Sequence, residues 1–121
     1  MGADQIAELR PPIVEVLAAR DEGEDFCATF ELSGDASSWV QVTSDCINGA
    51  YPHQDEPSEF LDPPLHSVIV QAWEPGKSVT LGFDSSLSAR EIAVLVDSFF
   101  ERVLGCLGRD YSVDVTLERL S

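Results

Sequence analysis

The hydrophobic positions of the chain recur with helical spacing in two stretches and with strand spacing in five. The clearest helical stretch is LSAREIAVLVDSFFERVLG, from residue 87 to residue 105. Its apolar residues recur with helical spacing on one face: Ile92, Leu95, Val96, Phe99 and Val103. Ser88 and Glu91 have capping-box spacing, and Gly105 has the position of a helix terminator. The pattern predicts a helix over 88–104.

A second helical stretch covers residues 3–20 and is interrupted by Pro11 and Pro12. Proline is tolerated in the first turn of a helix and is unfavourable in its interior. Either a short helix ends near Arg10 and another begins at the prolines, or one helix is kinked there. We favour a main helix from Pro11 to Ala19, preceded by a loose helical turn.

Alternating apolar and polar positions predict five strands, over residues 25–32, 38–43, 66–73, 78–83 and 111–119. The third and fourth are joined by Glu-Pro-Gly-Lys at 74–77, which is typical of a type II turn in a hairpin. The second strand resumes briefly at Cys46-Ile47, and Asn48-Gly49 predicts a turn. The last strand alternates throughout, and its apolar residues are predicted to point inward: Tyr111, Val113, Val115 and Leu117.

The order α-β-β-β-β-α-β predicts a single α+β domain over residues 1–121. We expect a two-layer sandwich, with a mostly antiparallel five-stranded sheet and two helices on one face. The opposite face would carry polar residues together with Trp39 and Trp73. A tryptophan on a polar sheet face indicates a partner surface. The alternative is a one-residue error in register, which would bury both side chains.

Residues 50–65 contain several prolines and acids without any period, which predicts an irregular loop. This loop is the best site candidate. Its acids would meet a basic partner, and Tyr51 and Phe60 would anchor that partner. The acids in question are Asp55, Glu56, Glu59 and Asp62. The alternative is a solvated connection between strands.

Composition narrows the function further. The chain has 121 residues, 44% of them hydrophobic, and a formal net charge of −15. Such a charge disfavours binding to nucleic acid or to an anionic membrane, and it favours a basic protein partner or a surface that only confers solubility. The sequence shows no membrane-spanning run and no signal peptide. The predominance of arginine over lysine is compatible with a GC-rich bacterial genome.

The residues that carry chemistry are few. Cys27, Cys46 and Cys106 are widely spaced, which predicts free thiols in a reducing cytoplasm, with buried packing favoured over reactivity. His53 and His66 lack metal-ligand spacing, and no phosphate-binding or nucleophile motif occurs. Cys46 with either histidine is the single candidate nucleophile system. We therefore expect no cofactor, no metal and no enzymatic activity.

The Trp39-Val40-Gln41-Val42 strand, Ile47-Asn48 and the 87–105 helix together resemble the small acidic chaperones of bacterial type III secretion. The resemblance covers most of the chain in organisation and composition, at the level of the superfamily. It implies a non-catalytic α/β sandwich, often dimeric, that holds an extended segment of a client. This chain differs in placing its hairpin before the long helix and in ending with a strand.

Taken together, these features favour a non-catalytic, acidic, chaperone-like module. It would form a homodimer or bind a persistent protein partner through an edge strand or the polar sheet face. Two alternatives stay open. One is an immunity-type inhibitor of a basic toxin or nuclease, and the other is a small-molecule binder or enzyme with a pocket between helix and sheet.

Overall fold

The computed structural model describes residues 3–55, 68–84, 86–105 and 111–119. The elements in these ranges, in chain order, are α1 (Ala3–Asp21), β1 (Phe26–Leu32), β2 (Asp35–Val42), β3 (Cys46–Ala50), β4 (Val68–Glu74), β5 (Ser78–Phe83), α2 (Ala89–Arg102) and β6 (Val113–Arg119). The strands form one antiparallel sheet in the spatial order β4-β5-β3-β2-β1-β6. The predicted α+β class is confirmed. The predicted five strands and their order are wrong, because the sheet has six strands and β3 is one of them.

The turn predicted at Asn48-Gly49 is wrong for a packing reason. Both residues lie inside β3, paired with β2 on one side and with β5 on the other. A Cβ atom at Gly49 would overlap the Phe99 ring of α2, so glycine permits the close approach of helix and strand. On the opposite face, the Asn48 side-chain oxygen accepts a hydrogen bond from the Thr80 hydroxyl at 2.7 Å. Two residues that are typical of a turn therefore lie inside a strand.

α1 continues through both prolines, so the helix predicted over residues 3–20 is confirmed, and the favoured division into a loose turn and a main helix from Pro11 is wrong. Proline in a helix interior removes a backbone hydrogen bond and crowds the preceding turn, at a cost of about 3 kcal/mol. Burial of a large apolar side chain contributes roughly 1.5–3 kcal/mol. The side chains of α1 that are almost fully buried are Leu9, Ile13 and Val16. Their packing against the rest of the core offsets the cost of the prolines.

β2 begins earlier than predicted, because a polar bulge belongs to the strand. The pairing of β1 with β2 shifts register between Glu31 and Leu32. The Asp35 carboxylate stabilises the bulge by accepting hydrogen bonds from the Ser37 amide and from the hydroxyls of Ser37 and Ser38. The same hydrogen bonds, with the Ser37 hydroxyl contributing most, lower the pKa of Asp35.

The core lies between the sheet and the two helices, which pack against each other and against one sheet face. α2 begins with the predicted capping box: the Ser88 hydroxyl accepts from the Glu91 amide, and the Glu91 carboxylate accepts from the Ser88 amide. Gly105 follows the helix with a φ of 81°. The β4–β5 hairpin turns through residues 74–77, where Gly76 has a φ of 74°.

Candidate protein-interaction surface

The residues that the sequence marks for partner binding do not form one surface. Trp39 lies on the sheet face away from the helices, half-buried and paired with the exposed Glu31. Trp73 is partly buried against the core, and its ring centre lies 5.7 Å from that of Tyr51 in an edge-on contact. The structure thus places Trp39 on the predicted face and Trp73 on the opposite one.

A β-bulge explains the position of Trp73. The pairing of β4 with β5 shifts register around Gln71, so that Val70 pairs with Leu81 and Trp73 pairs with Val79. Leu81 and Val79 are both buried on the helix side. Simple alternation would put Val70 and Trp73 on opposite faces, and the extra residue in the bulge returns Trp73 to the same face.

The acidic loop is described only as far as Asp55. Tyr51 is 1% exposed, so it belongs to the core and is not the surface anchor that the sequence predicts. Its hydroxyl donates to the Asp55 carbonyl, while the Asp55 side chain is exposed. His53 Nε2 lies 2.7 Å from the Val103 carbonyl at the end of α2. The other predicted contact residues lie outside the described ranges: Glu56, Glu59, Phe60 and Asp62.

The sheet face away from the helices has hydrogen bonds of its own. Thr29, Gln41, Asn48 and Thr80 form a row across β1, β2, β3 and β5. The Gln41 amide donates to the Thr29 hydroxyl at 3.2 Å, and the Thr80 hydroxyl donates to Asn48 at 2.7 Å. Cross-strand pairs of this kind stabilise a sheet. This polar face therefore has a structural role that needs no partner.

Cys46 and His53, which the sequence suggests as a nucleophile and its base, make separate contacts in the structure. The Cys46 thiol lies 3.1 Å from the Thr43 hydroxyl at the start of β3, whereas His53 follows the end of that strand. The Cys27 thiol is buried, and burial raises its pKa despite a contact with the Thr29 hydroxyl. A thiol with a raised pKa holds little thiolate and is a poor nucleophile. His66 and Cys106 lie outside the described ranges.

Two carboxylates of α2 are buried to different degrees: Asp97 is buried as a whole, and Glu101 has one buried oxygen. Asp97 is buried and accepts a hydrogen bond from the Tyr111 hydroxyl at 2.6 Å. The Tyr111 ring packs on Phe100, with the ring centres 5.0 Å apart. One turn later, Glu101 Oε2 is buried without a hydrogen-bond partner among the described residues. Burial first, and the Asp97 carboxylate second, raise the pKa of Glu101.

β6 is an edge strand, and β1 is its neighbour among the described strands. Val115 and Leu117 face the helix side, because they pair with Phe30 and Ala28, both fully buried there. The helices do not cover the edge, so Val115 is 43% exposed and Leu117 is 40% exposed. The prediction that these side chains point inward is right about the sheet face on which they lie. It is wrong about their burial, because both are exposed.

The two edges of the sheet differ in regularity. The pairing of β4 is broken by the bulge at Gln71, a device that hinders the addition of another strand. β6 pairs with β1 in unbroken register from Val113 to Arg119. A regular edge strand presents a row of unpaired backbone donors and acceptors. Among the described residues, the β6 edge is therefore the more open of the two to a further strand.

The two faces of β6 carry different chemistry. Opposite the apolar side, Asp114 and Glu118 are exposed, and Asp114 is paired with Glu31 of β1. Arg119 reduces this negative charge little, because its guanidinium lies 2.8 Å from the Glu24 carboxylate. Sequence reasoning assigned Val115 and Leu117 to the core. Alternation gives the same pattern at an edge as inside a sheet, so the sequence held no signal of the edge position.

Three further findings concern metal binding, membrane crossing and similarity to known proteins. Within the described ranges, no group of three or more His, Cys, Asp or Glu side chains is arranged to hold a metal ion. None of the helices in those ranges combines the length and apolarity that crossing a membrane requires. No family model matches the chain, and searches of curated proteins and of solved structures return no significant match.

Proposed function

We propose that the chain is a non-catalytic, acidic protein-interaction module that binds an extended basic segment of a protein partner as an added strand on β6. The observation that carries this proposal is the regular edge of β6 together with the exposure of Val115 and Leu117. In strand addition, main-chain hydrogen bonds supply affinity and alternate side chains supply specificity.

The side chains of β6 determine what the added segment should look like. Every second residue of the segment would be apolar and would cover Val115 and Leu117 on the helix side. The residues between them would be Lys or Arg, lying near Asp114 and Glu118. The net charge of −15 would steer a basic segment towards the edge and would repel an acidic one.

Holding an extended segment is the behaviour that the resemblance to secretion chaperones implies. Neither the buried Cys27 nor the half-buried Cys46 forms a disulfide. Free thiols are typical of proteins in a reducing compartment, which supports the cytoplasm as the place where the module works.

Fluorescence anisotropy with synthetic peptides tests the proposal directly, because a model peptide can stand in for the natural partner. The probe is a labelled peptide of about nine residues that alternates Val and Lys, a length that spans an edge strand. We expect binding at about 50 mM salt and weaker binding at about 300 mM salt, because screening reduces charge attraction. A peptide that alternates Val and Glu should not bind.

Substitution of an exposed apolar residue locates the binding site. Leu117→Lys places a charge where the added strand would bury an apolar side chain, so we expect a loss of affinity of about tenfold or more. Ile69→Lys on β4 is the matched control, because Ile69 is an exposed apolar residue on the opposite edge strand and the charge change is the same. Equal affinity of the Leu117→Lys protein and the control would show that β6 is not the site.

A further inference from the structure

α1 is apolar on two opposite faces, and one of them is exposed. The face that carries Leu9, Ile13 and Val16 is buried in the core. The opposite face carries four small or apolar residues, all exposed, which we name the α1 stripe: Ala7, Pro11, Val14 and Ala18. A helix on the surface of a globular protein usually carries polar residues on the face opposite the core. The α1 stripe carries small and apolar residues there instead, so it is a candidate contact surface.

The spacing of the α1 stripe is that of a coiled-coil seam. Its members lie four, three and four positions apart, as alternating a and d positions of a heptad repeat do. An open groove of about 550 Å³ runs along this face, and its described lining includes Pro11 and Val14. The next position of the repeat is Asp21, whose side chain is charged and exposed, so the seam ends at Ala18.

The charges beside the stripe indicate what covers it. Arg10 lies on one flank of the stripe and Glu15 on the other, at the g and e positions of the repeat, and both are exposed. In a parallel pair of such helices, opposite flanks meet, so Arg10 of each copy would face Glu15 of the other. In an antiparallel pair, like flanks meet, and the Arg10 flank would face its own counterpart.

We propose that the α1 stripe is a homodimer interface, occupied by α1 of a second copy of this chain in a parallel, in-register pair. Two-fold symmetry makes the surface self-complementary: the stripe packs on itself, and two Arg10–Glu15 pairs close its flanks. The small side chains of Ala7 and Ala18 allow the helix backbones to approach closely. The interface does not rest on strand addition at β6, which uses other residues.

The size and charge of the interface set its strength. The stripe spans about 16 Å of helix at 1.5 Å per residue, so the buried area falls below the roughly 1,200 Å² of a stable complex. Each copy also carries a net charge of −15, which opposes association. We therefore expect a weak dimer, with a dissociation constant on the order of 10–1,000 μM.

Charge reversal separates the proposed pairing from general repulsion. Glu15→Arg places Arg10 of one copy against an arginine of the other, and we expect dimer affinity to fall about tenfold in sedimentation equilibrium of the full chain. Arg10→Glu should have a similar effect, and the double variant R10E/E15R should restore the affinity of the wild type.

Asp45→Arg is the matched control, because Asp45 is exposed in the loop after β2 and the substitution changes the net charge by the same amount as Glu15→Arg. If net charge alone governed association, Glu15→Arg and Asp45→Arg would both strengthen the dimer. That result would overturn the proposal, and so would a wild-type chain that stays monomeric at millimolar concentration.

A cysteine placed in the seam tests the orientation. In a parallel, in-register pair, position 14 of one copy faces position 14 of the other, so oxidised Val14→Cys should form a disulfide-linked dimer. Arg90→Cys is the control, because Arg90 is exposed on α2 and lies outside the stripe. If the two variants gave equal amounts of covalent dimer, the parallel arrangement would be wrong.

Discussion

Asp97 and Tyr111 show how one hydrogen bond can join the last strand to the core. The Asp97 carboxylate is buried, and the Tyr111 hydroxyl donates to it at 2.6 Å. Tyr111→Phe would leave the carboxylate without this donor, so we expect the free energy of unfolding to fall by about 1–3 kcal/mol in urea denaturation. Tyr51→Phe is the comparison, because the Tyr51 hydroxyl donates to a neutral carbonyl and less should be lost. A larger effect at Tyr51 would contradict this account.

Glu101 makes stability depend on pH in a direction opposite to that of most carboxylates. Burial, with the Asp97 carboxylate as a second cause, raises the pKa of Glu101 in the folded protein. The folded state therefore binds this proton more tightly than the unfolded chain does. Its contribution to stability is present below about pH 4.3, the ordinary value for Glu, and is lost as pH rises through the folded pKa.

Glu101→Gln tests this dependence. Gln carries no charge, so the variant should be more stable than wild type at pH 7. The difference should shrink as pH falls below about 4.3, where Glu101 becomes protonated in the unfolded chain as well. Thermal unfolding at the two pH values measures it. Glu91→Gln is unsuitable as a control because Glu91 closes the capping box, whereas Glu22→Gln changes an exposed residue and should be neutral.

α1 shows an element whose local sequence opposes its structure. Pro12 lies inside the helix and is half-buried. Because proline has no amide hydrogen, the Glu8 carbonyl lacks the donor that another residue at position 12 would supply. Pro12→Ala should stabilise the protein by about 1–3 kcal/mol, measured by urea denaturation. Val14→Ala on the exposed face of the same helix is the comparison and should change stability little. Destabilisation by Pro12→Ala would mean that the proline ring contributes more through packing than its missing amide costs.

Elements with strong local signals are the ones that the sequence predicts. The α2 capping box and the turn at Pro75-Gly76 are set by residues within a few positions of each other, and both occur in the structure. β3 and the bulge at Gln71 were not predictable in the same way. Gly49 belongs to a strand because Phe99 of α2 packs on it, and this contact lies fifty positions away in the chain.

The order of strands in the whole sheet explains why the candidate site could be predicted only in part from the sequence. Alternation and helical spacing correctly indicated the α+β class. Neither property shows which strand ends the sheet. The spatial order β4-β5-β3-β2-β1-β6 decides that Val115 and Leu117 stand at an edge, although their spacing is identical to that of core residues.

At the scale of the molecule, the open edge, the acidic surface and the α1 stripe lie on different elements. Strand addition would use β6, and self-association would use α1, so a dimer would carry two partner edges. If this arrangement holds, Leu117→Lys should remove peptide binding without affecting self-association, and Glu15→Arg should do the reverse.

The most direct test of the central claim is amide hydrogen exchange of β6, measured by NMR with and without the alternating Val-Lys peptide. In the free protein, the β6 amides that face away from β1 should exchange fast, because no strand among the described residues pairs with that edge. On binding, these amides should become protected, while those of the bulged β4 edge stay unchanged. Protection that appears at β4 or on the Trp39 face, with β6 unaffected, would contradict strand addition at this edge.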